Sequence, residues 1–518
     1  MWYPPARRYV PIRERRAELF FLAVFSALLA LHALSFRYTV DDAFISFRYA
    51  ENWALGEGPV FNPGERVEGY TNFLWTALIA AALRGGIEPV LFSRAAGIAF
   101  GVLLLCLAFL HARERLSPRA AVLLLPPAIA ANGAFALWCG AGLETPLFAL
   151  LLFAGVAAAS SAESARGFAL ASLLLVLATL TRPEGALVFA VVLLDALALR
   201  RVPLGRALPG LLLFLLVAGA HEAWRIAYYG EALPNTFYAK TGGGLLALKR
   251  GLLYVARYLG PFGGWTALAP LPLLFVGGIR RWERTFLVVL IVYILYVVWV
   301  GGDSLPFYRF LAPAVPLFAL LAVSGLARLL GDPGGSVGGG RLAALAFLLA
   351  VPLLNTFGGA TLRFLGEDRD RVELHWKVIG GWLRENAEEG ASVAVTTAGA
   401  IPYYSKLPAI DMLGINDRTI ARRRMPGMGG GIADHEKHDM DYVLSRRPTY
   451  ILHYPFLLPE PLFTTGQFRT PWNRGLEGLL ANDTFDREYG GESAAITPPG
   501  SGRPLHLVYF RLREGGGS

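Results

Sequence analysis

Two adjacent carboxylates, Asp41 and Asp42, stand directly after the first membrane-length apolar run of the chain. They open the stretch 38–75, YTVDDAFISFRYAENWALGEGPVFNPGERVEGYTNFLW, which is dense in Asp, Glu, Arg, Asn, Tyr and Trp. The chain around it is mostly Leu, Ala, Val and Phe. A carboxylate at a membrane–water boundary, beside an apolar wall, has its pKa raised towards neutrality, which suits a general base. Helical spacing puts Asp41, Ile45, Arg48 and Asn52 on one face and Asp42, Ser46 and Tyr49 on the next. A plainer role is a helix start: Thr39-x-x-Asp42 fits a capping box, and acids favour a helix N-terminus. Local spacing leaves both roles open. Further along the loop, Gly56, Gly58, Pro59, Pro63 and Gly64 predict turns. Glu65, Glu68, Tyr70, Asn72 and Trp75 offer hydrogen-bonding and stacking groups of the kind that bind sugars. An ordinary polar loop with an interfacial aromatic belt has a similar composition.

Later sites of the same character are expected to converge on this loop. GLETP places Glu144 at the head of an apolar run, and TRPEG places Arg182 and Glu184 in a tight turn. His221, Glu222 and Arg225 precede Asn235, Tyr238 and Lys240, while Asp303, Tyr308 and Arg309 open another apolar run. Charges at a membrane boundary are costly, so they pair or serve a site. Mutual pairing of Arg182 with Glu184 and of Asp303 with Arg309 would lock helices together. Arg309 and Lys240 would alternatively hold a phosphate. His221 taken alone fits a core histidine equally well. In HEKHDMDYVLSRRP, His435 and Asp439 are four apart with His438 beside them, which fits a metal pair or a solvated helix start.

The elements that hold these residues are set by composition. Of the 518 residues 54% are hydrophobic, and the mean hydropathy of +0.46 calls for lipid around the chain. A span needs about 20 apolar residues. Candidates fall at 17–37, 87–111, 119–137, 143–160, 167–181, 184–199, 207–228, 262–279, 283–301, 309–330 and 341–358, about eleven in all. Arg7, Arg8, Arg13, Arg15, Arg16, Arg113, Arg115, Arg119, Arg166, Arg200, Arg201, Arg206, Arg280, Arg281, Arg284, Arg328 and Arg341 then all fall on one side, which makes that side the cytoplasm. The first run is too long for a cleaved signal and reads as an uncleaved first span. Net charge is +9, but it lies in Arg clusters between apolar runs, with no basic–aromatic stripe for nucleic acid. Cys106 and Cys139 are not spaced for a metal, and no disulfide is expected between them.

After residue 360 the pattern changes. HWKVIGGWLREN reads as an amphipathic helix, and ASVAVTTAG, PTYILHY and HLVYFRL read as strands. The expected architecture is a polytopic α-helical membrane unit, residues 1–360, followed by a small extracytoplasmic α/β domain, residues 361–518.

DDAFISFRYAENWALGEGPVFNPGERVEGYTNFLW, GLETPLFALL, LTRPEG, YYGEALPNTFYAK, GGDSLPFYRFLAP and HEKHDMDYVLSRRPTYIL occur in this order along nearly the whole chain. In these motifs the chain resembles membrane glycosyltransferases of the GT-C superfamily. More narrowly it resembles the group that holds the mycobacterial terminal β-(1→2)-arabinofuranosyltransferase and related proteins whose names refer to flagellar motor control. The resemblance implies a GT-C fold in a bacterial inner membrane, with a cytoplasmic N-terminus. It implies a polyprenyl-phosphate-linked sugar as donor and a glycan or lipid acceptor on the outer face, with no nucleic acid. It implies an acidic catalytic residue at Asp41 or Asp42 and inversion in a single displacement. Asp41 is taken as the base and Asp42 as its support. Arg309, Lys240 and Arg182 are taken to hold the departing phosphate, and Glu68, Tyr70, Asn72, Glu144, Asn235, Tyr238, Asp303 and His221 to bind sugar or acceptor. Some relatives use a divalent ion (Mg, Mn or Ca), whose ligands here are assignable no further than the acids already named. Two other functions are weighed against this one. A lipid-linked glycan transporter would call for mid-bilayer polar residues and paired repeats. A non-catalytic envelope or flagellar assembly factor would leave the acid–base loops unexplained.

Overall fold

The computed structural model describes residues 12–116, 122–198, 202–258, 278–330, 359–453, 455–461 and 475–513. Helices α1 (Ile12–Ser35), α2 (Asp41–Leu55), α3 (Phe73–Arg84) and α4 (Pro89–Arg115) lead the chain. Then come α5 (Leu125–Ala130), α6 (Gly133–Gly140), α7 (Thr145–Ser160), α8 (Ala165–Thr181) and α9 (Glu184–Ala198). After them stand α10 (Leu204–Tyr229), α11 (Asn235–Lys240), α12 (Gly244–Tyr258), α13 (Arg281–Trp299) and α14 (Val315–Leu330). A short 3-10 stretch, Pro306–Ala314, leads into α14. Five of the described helical segments are long and apolar enough to cross a membrane: Arg16–Ser35, Pro89–Arg115, Leu204–Tyr229, Arg281–Trp299 and Phe307–Arg328. The bent pair α6 and α7, at 117°, adds a sixth if it counts as one span. The runs at 167–181 and 184–199 form α8 and the shorter α9.

The run expected at 119–137 as one span is instead broken. Asn132 interrupts it by turning its side chain back to accept from the Phe135 N–H, which starts α6 afresh after α5. The expected spans 262–279 and 341–358 lie outside the described residues, save for 278 and 279. So do Arg7, Arg8, Arg119, Arg200, Arg201 and Arg341.

The remaining basic residues gather at one end of the bundle. Arg113 near the end of α4 pairs with Glu18 near the start of α1, at 2.7 Å. Arg115 reaches Ser161, Arg280 reaches the Arg115 carbonyl, and Arg284 pairs with Asp195. Arg328 at the end of α14 pairs with the buried Glu283 at the start of α13. Since α1 and α13 start at this end and α4, α7 and α9 finish at it, their other termini lie towards the opposite one. Tyr38, Asp41, Glu144 and Glu184 stand there.

The C-terminal part opens with α15 (Gly359–Asp370), a wider turn and α16 (Lys377–Asn386). It then alternates β1 (Val393–Val395), α17 (Ala400–Ser405), β2 (Ala409–Asp411), α18 (Arg418–Ala421), α19 (Met440–Ser445), β3 (Tyr450–Leu452) and β4 (Leu457–Leu458). It closes with α20 (Leu476–Leu480), α21 (Asp483–Glu488), β5 (Tyr489–Ile496) and β6 (Leu505–Leu512). The sheet runs β2-β1-β3-β6-β4, with β5 also on β6. β1 is parallel to β2 and β3, and β6 is antiparallel to its neighbours. The three strands and the amphipathic helix expected from sequence are present, and β2, β4 and β5 are additional.

The first loop and this C-terminal part are knitted together. β2 is an edge strand, and the Asn62 side chain covers its edge by exchanging two hydrogen bonds with the Ala409 backbone, at 2.9 and 3.0 Å. Arg48 donates to the carbonyls of Phe61, Pro402 and Leu407. One hydrophobic core runs through the bundle into the sheet, from Leu29 and Phe44 to Val393 and Leu507.

Candidate functional site

α2 begins as the sequence predicts, but its acids do not cap it. The N-cap position is Val40, which makes no side-chain cap, and the Thr39 hydroxyl accepts from Arg94 at 2.9 Å. Of the two roles left open by the sequence, the capping box of Thr39 and Asp42 is therefore not formed, and both carboxylates have other partners. Successive helical residues point about 100° apart, so the two diverge. Asp41 accepts from the Ala400 N–H at 2.7 Å and the Gly399 N–H at 3.1 Å. A Cβ on Gly399 would lie 2.6 Å from the Asp41 Cγ, so this approach requires glycine. Burial pushes the Asp41 carboxyl up to about 7, against the pull of the Ala400 N–H, and the charge of Asp42 adds to the rise. Asp368 stands nearby, held by the Tyr38 hydroxyl.

Asp42 faces a group of cations. Its carboxylate is 3.8 Å from the Arg309 NH1, with the side chain 34% exposed. Burial raises its pKa, and Arg309 and then Lys240 draw it back. Arg309 is held from behind by Asp303 in a two-pronged pair, Nε at 2.7 Å and NH2 at 3.1 Å. The Asp303 side chain is fully enclosed. The NH1 edge that faces Asp42 lies beyond hydrogen-bond distance. Lys240 pairs with Asp434 at 2.9 Å and is the most exposed of the three expected cations. Burial alone would raise Asp434, but Lys240 brings it below the usual carboxylate range. Arg182 is clamped between Glu144 at 2.8 Å and Glu184 at 2.7 Å. The guanidiniums of Arg182 and Arg309 flank one ring, Phe310, at 4.8 and 5.2 Å. Both mutual pairings weighed from sequence, Arg182 with Glu184 and Asp303 with Arg309, are formed.

The residues expected to bind sugar divide into two groups. Asn72 and Glu144 are buried in one network, in which Asn72 donates to Glu144 at 2.9 Å and to the Ser46 hydroxyl at 3.0 Å and accepts from the Thr76 hydroxyl at 3.0 Å. Tyr70 is 3% exposed, with its hydroxyl 3.1 Å from that of Tyr229. These polar groups are used inside the protein, as is Asp303 on Arg309. His221 packs against the rings of Phe73 and Trp224 at 4.5 and 5.8 Å. Glu68, Asn235 and Tyr238, by contrast, share the wall of a shallow surface cleft with Glu231, Arg418 and Arg422. Glu68 is gripped there by Arg225 at 2.7 Å, and Asn235 donates to the carbonyls of Gly414, Ile415 and Asp417. The Tyr238 ring lies under Arg422 at 4.9 Å.

For His435 and Asp439 the helix start is what forms. Asp439 caps α19 by accepting from the Tyr442 N–H, and it pairs with Arg423 at 3.0 Å. Among the described residues no three His, Cys, Asp or Glu side chains converge as a bound divalent ion requires.

Two supports escaped the sequence reading. Asp434 carries no local signal that it meets Lys240, which is 194 residues away in sequence. Arg250 joins three segments, donating to Gly301 O at 3.0 Å and Gly431 O at 3.2 Å and pairing with the buried Glu436 at 2.9 Å. It thereby ties the turn before Asp303 to the loop that carries Asp434.

Residues 363–492 match a family model described as a domain of unknown function, DUF8728. The chain is 30% identical over 338 residues to a terminal β-(1→2)-arabinofuranosyltransferase of Corynebacterium glutamicum, covering 54% of this chain and 46% of the relative. It is also 30% identical over 274 residues to the protein of the same name from Mycobacterium tuberculosis, covering 47% of this chain and 42% of the relative. The chain thus spans less than half the length of the curated relatives it matches. In structure it is similar to ArnT from Cupriavidus metallidurans in the crystal with undecaprenyl phosphate, with a TM-score of 0.59 at 14% identity over 95% of this chain and 97% of ArnT. The resemblance expected from the motifs is borne out, and the fold, apolar helices carrying a C-terminal mixed sheet, is that of ArnT.

Proposed function

We propose that this protein is an inverting membrane glycosyltransferase that moves a sugar from a polyprenyl-phosphate donor to an envelope glycan or lipid. The acid-rich end of the bundle and the α/β domain, residues 361–518, lie outside the bacterial inner membrane, and the N-terminus lies in the cytoplasm. The names of the two relatives point to arabinofuranose as the sugar. The undecaprenyl phosphate crystallised with ArnT supports a lipid phosphate as the carrier.

The observation that carries this proposal is the division of the acid pair. Asp42 stands 3.8 Å from Arg309, on the side of the cations, while Asp41 diverges from it to the backbone at Gly399 and Ala400. A single displacement needs the base and the leaving phosphate on opposite sides of the anomeric carbon. Arg309 and Lys240 are the cations placed to take the phosphate, so Asp41 is the base. Each Asp41 oxygen accepts one N–H and keeps a lone pair for a hydroxyl. The acceptor hydroxyl gives its proton to Asp41, and its oxygen attacks the anomeric carbon. The bond from that carbon to the phosphate oxygen breaks, with its electron pair leaving on the phosphate. The NH1 edge of Arg309 and the ammonium of Lys240 stabilise that charge. Asp42 and Asp303 hold Arg309 in place, and Arg182 anchors the helices behind it.

The test is transfer of radiolabelled sugar from a panel of polyprenyl-phosphate sugars, including the arabinofuranosyl donor, to membrane glycan by the purified protein. Wild type transfers from one donor, and Asp41→Asn loses about 100- to 10,000-fold while remaining folded. Transfer retained in Asp41→Asn removes the base assignment. A folded wild type that uses no donor removes the enzyme.

A further inference from the structure

Helix α12 has two faces with different surroundings. Its inner face packs on the end of α13: Gly251, Val255 and Tyr258 are buried, and a Cβ on Gly251 would fall 2.1 Å from the Val298 carbonyl oxygen. Its outer face leaves Leu245 83% exposed and Leu252 56% exposed, with Leu246 and Leu253 beside them. Lys249 and Arg257 are exposed among these leucines. α12 has no acid, and neither has the following stretch 259–277. Among the described residues neither Lys249 nor Arg257 forms an ion pair. The α13 terminus beneath ends in Trp299, 76% exposed, at the end of a membrane-length helix. An apolar face studded with cations, at the end of a span and next to an exposed Trp, is the pattern of a helix lying in the bilayer interface.

We infer that α12 is an interfacial helix whose outer face docks on acidic phospholipids. Leu245, Leu246, Leu252 and Leu253 enter the headgroup–acyl boundary, and Lys249 and Arg257 bind the headgroup phosphodiesters. Charge decides the occupant, since two cations with no carboxylate paired to them among the described residues favour anionic over zwitterionic headgroups. The same helix supports the proposed active site from its inner side. Arg250 bridges Gly301 and Glu436, and the Tyr254 hydroxyl accepts from the Phe310 N–H at 3.3 Å. Tyr254 and Tyr258 also pack on the Tyr308 ring at 5.2 and 5.4 Å, next to Arg309. An acidic lipid on the outer face therefore steadies the segment that presents Arg309. The inference rests on the membrane placement proposed above but not on sugar transfer.

The test uses the full-length protein in neutral detergent, with phosphatidylglycerol, phosphatidylcholine or inorganic phosphate added. Native mass spectrometry counts retained lipid, and thermal unfolding gives Tm. Phosphatidylglycerol is expected to be retained and to raise Tm, while phosphatidylcholine and inorganic phosphate do neither. The exposed double variant Lys249→Gln/Arg257→Gln retains several-fold less phosphatidylglycerol and loses the rise in Tm, and Lys249→Arg/Arg257→Lys restores both. Equal retention by the Gln double variant, or an equal response to phosphatidylcholine, overturns the inference. Neither readout involves a sugar, so a protein that transfers nothing but responds to phosphatidylglycerol through these residues refutes the enzyme and leaves the docking intact.

Discussion

The two ends of the helical bundle use their charges differently. At the basic end each pairing satisfies one helix terminus with another: Arg113 with Glu18, Arg284 with Asp195, Arg328 with Glu283. At the acid-rich end, carboxylates and cations form a continuous set in which Asp42, Arg309, Asp303, Lys240 and Asp434 influence one another. One carboxylate, Asp41, is pushed to about 7. Charges gathered so that one acid stays close to half-protonated at neutral pH are suited to moving a proton. On the proposed reading, fastening and chemistry thus occupy different ends of one set of helices.

The largest expected effect comes from Arg309→Ala. It removes the proposed phosphate grip and strands Asp303, whose side chain is fully enclosed. Transfer should fall more than tenfold with donor KM raised, and stability by about 3–5 kcal/mol, read by thermal unfolding in detergent. An unchanged donor KM would make Arg309 a fastener like those at the basic end. Arg328→Ala removes one partner of the enclosed Glu283, which keeps the Ser324 hydroxyl and the Arg280 N–H. It should lower stability by about 1–3 kcal/mol while leaving both KM values and the pH profile of transfer as in wild type. A shifted pH profile would erase the distinction between the ends. Asn62→Ala uncovers the edge of β2 by deleting two hydrogen bonds to Ala409. The cost should be about 1–3 kcal/mol, with faster hydrogen exchange at Ala409 as the local signature.

A stability sign separates the ends as well. Asp41 titrates near 7 in the folded protein and near 3.9 in an unfolded chain. Between those values the folded state holds more protons, so this group makes stability fall as pH rises. Asp41→Asn should flatten that slope, unfolding later than wild type at pH 8, with the gap closing towards pH 5. An identical slope in the variant would remove the perturbed carboxyl from the account.

Much of the acid-rich end is legible in sequence because its signals are local. Asp41 and Asp42 follow an apolar run, Arg182 and Glu184 share one turn, and Asp303 lies six residues before Arg309. Helix α2 and the strands β1, β3 and β6 follow from periodicity alone. What local pattern cannot carry is the partner across the fold. Asn235 looks like a sugar ligand, yet its amide is taken by three carbonyls about 180 residues away in sequence. Tyr70 and Asn72 have the chemistry of ligands and the burial of core. The break at Asn132 was hidden because the apolar run continues through it and only the backward turn of one amide marks the new helix start. Arg250 reads as one more basic residue until Gly301, Gly431 and Glu436 are seen around it.

The central claim, that Asp41 is a general base at the acid-rich end, is tested most directly by the pH dependence of transfer under single-turnover conditions in wild type and Asp42→Asn. With Asp41 as base the rate rises with pH through a limb centred near 7 and falls about tenfold per unit below it. Asp42→Asn then keeps a limb, moved to lower pH because the neighbouring negative charge that helps raise Asp41 is gone. A limb near pH 4 in wild type, or one that vanishes in Asp42→Asn, would contradict the account and assign the proton to another group.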